Sequence, residues 1–158
     1  MSTHTLPPLT AAQRKTMAQS LTTVLAETYV LYFKTHGFHW NVTGPHFTSL
    51  HALFETQYQE MWLAMDELAE RLRVLGVKAP GSGQALSQLS AIPEQTDSPD
   101  WHGMLESLLV GHEVVAQTVR QALHQAQEMH DDGTAALLTR RLQLHEKTAW
   151  ILRSMLAS

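Results

Sequence analysis

The stretch His46–Leu75, HFTSLHALFETQYQEMWLAMDELAERLRVL, carries two stripes at helical spacing. Leu50, Leu53, Phe54, Gln57, Met61, Leu68, Leu72 and Leu75 form a core-facing stripe with the i, i+3, i+4 recurrence of an amphipathic helix. His51, Glu55, Tyr58, Trp62, Asp66 and Glu70 form the second. Their spacings are four, three, four, four and four, so at about 100° per residue they stay on one side of the helix. A helix of this length with one apolar face must bury that face against other long helices.

Working outward, the flanking segments supply those helices. Thr10 is a suitable N-cap for a first helix from about Ala11 to His39, with Leu21, Val24, Leu25, Thr28, Leu31 and Tyr32 on its apolar side. Asn41-Val42-Thr43-Gly44-Pro45 is a turn by composition, and Pro45 suits the first position of the second helix. Gly76 is the natural stop. Lys78 to Pro99 is rich in Pro, Gly, Ser and Gln and reads as a long connection with one short helix around Gly83 to Leu89. Ser98-Pro99-Asp100 reads as N-cap, first-position proline and first-turn acid of a third long helix to about Met129. Asp131-Asp132-Gly133 breaks it, and a fourth runs from about Thr134 to the end. The expected fold is all-α: residues 1–10 a short tail, residues 11–158 one four-helix-bundle domain with a single long crossover.

Bulk properties agree. The 158 residues, 44% hydrophobic, suffice for one core without staples. No cysteine is present, which excludes disulfides and thiolate metal sites. The first ten residues lack a basic n-region and an apolar h-region, and no run approaches a membrane span, so a cytoplasmic location is expected. The formal charge of −4, from 11 basic and 15 acidic residues, is not that of a phosphate-binding chain.

The second stripe carries the chemistry. His51 with Glu55, and Asp66 with Glu70, are i,i+4 pairs of metal-ligand type. His39 lies just before the turn, and a hairpin brings it to His51. Imidazole with carboxylate suits Fe, Zn or Mn. His51 and Asp66 are 15 residues apart, roughly 22 Å along one helix. One chain cannot put both on one metal, whereas two antiparallel copies of the helix can, giving two sites per two-fold dimer. No Glu-x-x-His occurs, the motif of carboxylate di-iron sites built inside one bundle. Charged i,i+4 pairs are more often a solvated helix face; here two ligand pairs share a stripe with a facing histidine.

The segment HGFHWNVTGPHF (36–47), followed by Leu50-His51 and by MDELAER (65–71), together with HEKTAW (145–150), strongly resembles the Dps family of ferritin-like mini-ferritins. The resemblance runs from the first helix to the C-terminus. It implies a hollow homo-oligomer of twelve subunits with an inter-subunit di-iron-type ferroxidase centre. It also implies oxidation of Fe(II), preferably by hydrogen peroxide, storage of ferric mineral, and protection against oxidative stress. By position His39, His51 and Glu55 match ligands from one subunit, and Asp66 and Glu70 those from its partner. Trp40 matches a tryptophan beside that centre. Asp131 and Asp132 match acids lining an iron-access pore, with Ala136 where a further acid is common; the alternative is that they only cap the last helix.

Some members of that family bind DNA through a lysine-rich tail. Here no Lys or Arg precedes Arg14 and Lys15, and the C-terminus MLAS adds none. Arg140, Arg141, Lys147 and Arg153 read as solvated charge, with a surface patch as the alternative. Two further readings stay open: a DNA-binding architectural protein with a minor metal site, and a helical bundle with a structural interface metal such as Zn.

Overall fold

The computed structural model describes residues 7–157. Most of the expected tail, Met1–Leu6, lies outside them. The elements are α1 (Ala11–Asn41), α2 (Phe47–Val74), α3 (Gly83–Leu89), α4 (Trp101–Glu128) and α5 (Asp132–Leu156), with no strand among the described residues. α1 packs against α2 and α4, and α5 packs against α4 and more lightly against α2, which makes a four-helix bundle. α3 lies against α1 in the long connection between α2 and α4. The all-α bundle with one long crossover and a short helix within it is the architecture expected.

The core is the set of apolar stripes. Leu21, Val24 and Leu31 of α1 meet Leu50, Phe54, Met61, Leu68 and Leu72 of α2, Leu105, Leu108, Val115 and Val119 of α4, and Leu138 and Leu152 of α5. Burying each such side chain stabilises the fold by about 1.5–3 kcal/mol before entropy is counted.

The caps correct several expected boundaries. Thr10 caps α1 as expected: its hydroxyl accepts from Gln13 N while the Gln13 side chain accepts from Thr10 N, a capping box. α2 starts at Phe47, so Pro45 precedes the helix instead of opening it. The cap of α4 is Asp100, whose carboxylate accepts from Gly103 N at 2.8 Å, in place of Ser98. α5 begins at Asp132, with Asp131 as its cap.

Two helix ends use the same device with different residues. After α2, Gly76 sits at φ 84° and Val77 N donates to Leu72 O. After α4, His130 sits at φ 57° and Asp131 N donates to Ala126 O. Both are left-handed C-terminal caps with the longer return hydrogen bond. Gly76 was legible as a stop. The stop after α4 is made by His130, ahead of the Asp131-Asp132-Gly133 run expected to break it.

Candidate metal centre

The turn between α1 and α2 brings His39 and His51 face to face. Their rings stack with centroids 3.8 Å apart and planes 17° from parallel. His39 Nδ1 lies 2.8 Å from His51 O, and His51 Nδ1 lies 2.8 Å from His39 O. A carbonyl oxygen only accepts, so each Nδ1 carries a proton and donates. In the neutral ring this leaves the Nε2 lone pair of both histidines free. Backbone carbonyls thus orient two imidazoles in the tautomer a metal requires, with both ring positions locked.

The carboxylates of the same stripe differ from their neighbours on α2. Glu60 pairs with Arg141, and Glu67 with Arg140 at 3.3 Å, so the side of α2 facing α5 is neutralised within the chain. Asp66 and Glu70 are exposed and make no ion pair or side-chain hydrogen bond among the described residues, and the exposed Glu55 only accepts from Gln59 Nε2 at 3.3 Å. Among the described residues no three His, Asp or Glu side chains of one chain converge on a common point. His39 and His51 are brought together; Asp66 and Glu70 stand further along α2.

Aromatic side chains flank the histidine pair, Tyr58 at 5.2 Å from His39 and Phe47 at 5.1 Å from His51, and a further cluster extends from His36. Tyr58 stacks on His36 at 3.9 Å, and Trp40 lies against His36 at 4.3 Å. Tyr32 contacts Trp62 at 5.6 Å. Trp40 and Trp62 are nonetheless 58% and 60% exposed, and Phe33 and Phe47 are also open. An apolar surface of this extent beside ligand-type residues is of the kind that marks an interface. Burial and the neighbouring His39 hold the His36 pKa below the usual imidazole value.

The acids at the α4–α5 turn divide. Asp131 is buried: it caps Thr134 N at 3.2 Å and pairs with Arg71 Nη2 at 2.8 Å. Its carboxylate is therefore turned inward, and capping accounts for it. Asp132 and Ala136 are exposed.

A buried polar network was not legible. Arg141, expected as solvated or part of a surface patch, is 2% exposed. Its guanidinium grips the Glu60 carboxylate, with Nη2–Oε2 at 3.1 Å, and its Nη2 donates to His145 Nε2 at 3.0 Å. His145 Nδ1 lies 2.9 Å from His112 Nδ1. Burial foremost, then neighbouring positive charge, keeps both rings neutral: the His112 pKa is pushed down to about 3, and that of His145 well below its usual value. One signal was available. His112 falls on the apolar stripe Leu108, Val115, Val119 of α4, which marks it as inward. The other arginines of α5 are paired, Arg140 with Glu67 and Arg153 with Glu113 at 3.0 Å, and Lys147 is exposed.

Comparison with known proteins agrees with this architecture. A ferritin-like domain family model matches residues 18–158. The DNA protection during starvation protein 2 of Bacillus anthracis is 33% identical over 142 residues, covering 90% of this chain and 97% of that protein. The crystal structure of the Dps protein from Vibrio cholerae O1, described as a member of a broad superfamily of ferritin-like diiron-carboxylate proteins, superposes with a TM-score of 0.91. It is 33% identical, and 99% of each chain is covered. DpsC from Streptomyces coelicolor superposes with a TM-score of 0.93 at 30% identity, covering 98% of this chain and 91% of that one. The fold, the histidine hairpin between its first two helices and the extent of these matches make the chain a member of the Dps family of ferritin-like proteins.

Proposed function

We propose that this protein is an iron-storing ferroxidase that protects against oxidative stress, with Fe(II) as its substrate. The observation that carries the reading is the reciprocal His39–His51 clasp, which leaves two oriented Nε2 lone pairs at one end of the α2 stripe that carries Glu55, Asp66 and Glu70. His39, His51 and Glu55 from one subunit, with Asp66 and Glu70 from its two-fold partner, are the proposed iron ligands. Two features support the shared arrangement. The span from His51 to Asp66 is roughly 22 Å on a straight helix. The exposed Trp40, against His36, and the exposed Trp62, on the ligand stripe, need a cover that a second copy would supply.

The mixed imidazole–carboxylate set suits Fe(II) and also Fe(III), the harder ion it becomes. The reaction is 2 Fe(II) + H2O2 + 2 H+ → 2 Fe(III) + 2 H2O. Each iron loses one electron and peroxide takes both, so no hydroxyl radical is released. Holding the two electron donors close together is the protein's contribution. Trp40, which lies against His36, is proposed as a further oxidisable group near the centre. The ferric product is stored inside a closed cage of twelve subunits, and Asp132 is the exposed acid left to guide iron at the α4–α5 turn. The diiron-carboxylate description of the Vibrio relative accords with this chemistry.

The test is anaerobic loading with Fe(II) followed by peroxide. Ferric absorbance should rise at one peroxide per two Fe(II), and electron microscopy should show mineral cores. Metal binding without either result would leave a structural interface metal in its place. No observation favours the DNA-binding reading, since the arginines of α5 are buried or paired with acids.

A further inference from the structure

A second site lies away from the histidine clasp. Between α1 and the connection formed by residues 90–100 runs a cleft of about 410 Å³, lined among others by Tyr29, Phe33, Lys34, Gly37, Glu94 and Asp97. Lys34 is only 8% exposed, yet it has no ion pair or hydrogen bond among the described residues. Burial lowers its pKa from the usual amine value. The stem is buried while the ammonium opens on the cleft, where it has no partner among the described residues.

The carboxylates on the facing wall, both exposed, also lack a cation among the described residues. Glu94 accepts from Ser87 Oγ at 2.7 Å, and Asp97 accepts from the Gln95 amide, but neither meets a cation. Opposite charges therefore line one cleft and stay more than an ion-pair distance from each other. Tyr29 and Phe33 stack at 6.4 Å and give it an aromatic wall. Gly37 occupies the interior of α1, where glycine costs about 1 kcal/mol against alanine. A Cβ there would meet nothing within 4 Å, so no packing inside the chain demands a glycine. Its smallness keeps the cleft open.

We infer that this cleft binds a small zwitterion, an α-amino acid with an apolar or aromatic side chain. The ligand's carboxylate goes to Lys34, its ammonium to Glu94 and Asp97, and its side chain to the aromatic wall. A simple anion would meet the two carboxylates, and a simple cation would meet Lys34. Only a ligand carrying both charges satisfies both walls.

The test titrates the assembled protein with L-phenylalanine by calorimetry, beside hydrocinnamate, which lacks the ammonium, and phenethylamine, which lacks the carboxylate. Phenylalanine should bind saturably with a Kd of about 1 mM or tighter. Each analogue should bind at least about tenfold more weakly, since each lacks one of the two charge contacts the cleft offers. Lys34→Met should cost phenylalanine at least about tenfold, and Gly37→Leu should abolish binding by filling the cleft, with iron oxidation unchanged in both. Absence of saturable phenylalanine binding, an analogue that binds as tightly, or full affinity in Lys34→Met overturns the inference. The analogue series on the unmodified protein decides the matter even if a variant fails to fold.

Discussion

His112 and His145 meet Nδ1 to Nδ1 at 2.9 Å inside the bundle, and their protons are ordered by a neighbour that can only donate. Arg141 Nη2 donates to His145 Nε2, so a neutral His145 carries its proton on Nδ1. That proton is donated to His112 Nδ1, which places the His112 proton on Nε2. His112 Nε2 is buried with no partner among the described residues. The amide of Gln57 is likewise buried and unpartnered. Both stand among the core helices with unmet hydrogen-bonding capacity, which internal water can satisfy.

This pair sets an acid limit on the fold. The His112 pKa is about 3 when folded, against about 6.5 in an unfolded chain. The unfolded state therefore binds a proton that the native state refuses between those values. Stability contributed by the neutral ring is complete above about pH 6.5 and is lost as pH falls toward 3. The shift is worth on the order of 5 kcal/mol for His112 at the acid end, and His145 acts in the same direction. Urea unfolding from pH 7 to pH 4 should show a falling midpoint. In His112→Met that fall should be shallower, and an unchanged slope would remove the histidine from the account.

Iron oxidation should depend on both halves of the α2 stripe. His51→Ala and Asp66→Asn should each slow peroxide-driven ferric absorbance at least about tenfold, with helical circular dichroism unchanged. A mixture of the two variants, dissociated and reassembled, provides the sharper measurement. In a mixed two-fold dimer one site collects both defects and the other collects neither. Random pairing gives mixed dimers half the time, so about a quarter of all sites should recover. A site contained within one subunit would recover none.

The two carboxylates that pair with α5 should differ in worth. Glu60→Ala leaves the Arg141 guanidinium buried without its anion and should cost about 2–4 kcal/mol. Glu67→Ala removes an exposed pair with Arg140 and should cost about 0–1 kcal/mol. Thermal melts of the two variants side by side would measure the difference.

The helix ends make a matched pair. His130 at φ 57° pays a steric penalty that Gly76 at φ 84° avoids. His130→Gly should stabilise the protein by about 0.5–1 kcal/mol, and Gly76→Ala should destabilise it by about 1 kcal/mol or more. Chemical denaturation of both should give opposite signs.

Periodicity determined the helices, their apolar faces and the stripe from His51 to Glu70, and the Pro-, Gly- and Ser-rich breaks between periodic stretches determined the single long crossover. Helical spacing is a local property of the chain, and so is the rise that keeps His51 from Asp66. What the tertiary structure decided was which polar groups meet across helices. Arg141 and Arg140 are adjacent in sequence, yet one lies in the core on Glu60 and His145 while the other is at the surface on Glu67. Asp131 and Asp132 differ likewise, one bound to Arg71 and the other open. The carbonyls that orient His39 and His51 belong to each other's residues, across a turn. Such pairings depend on the axial register of one helix against the next, which packing sets and no single helix encodes.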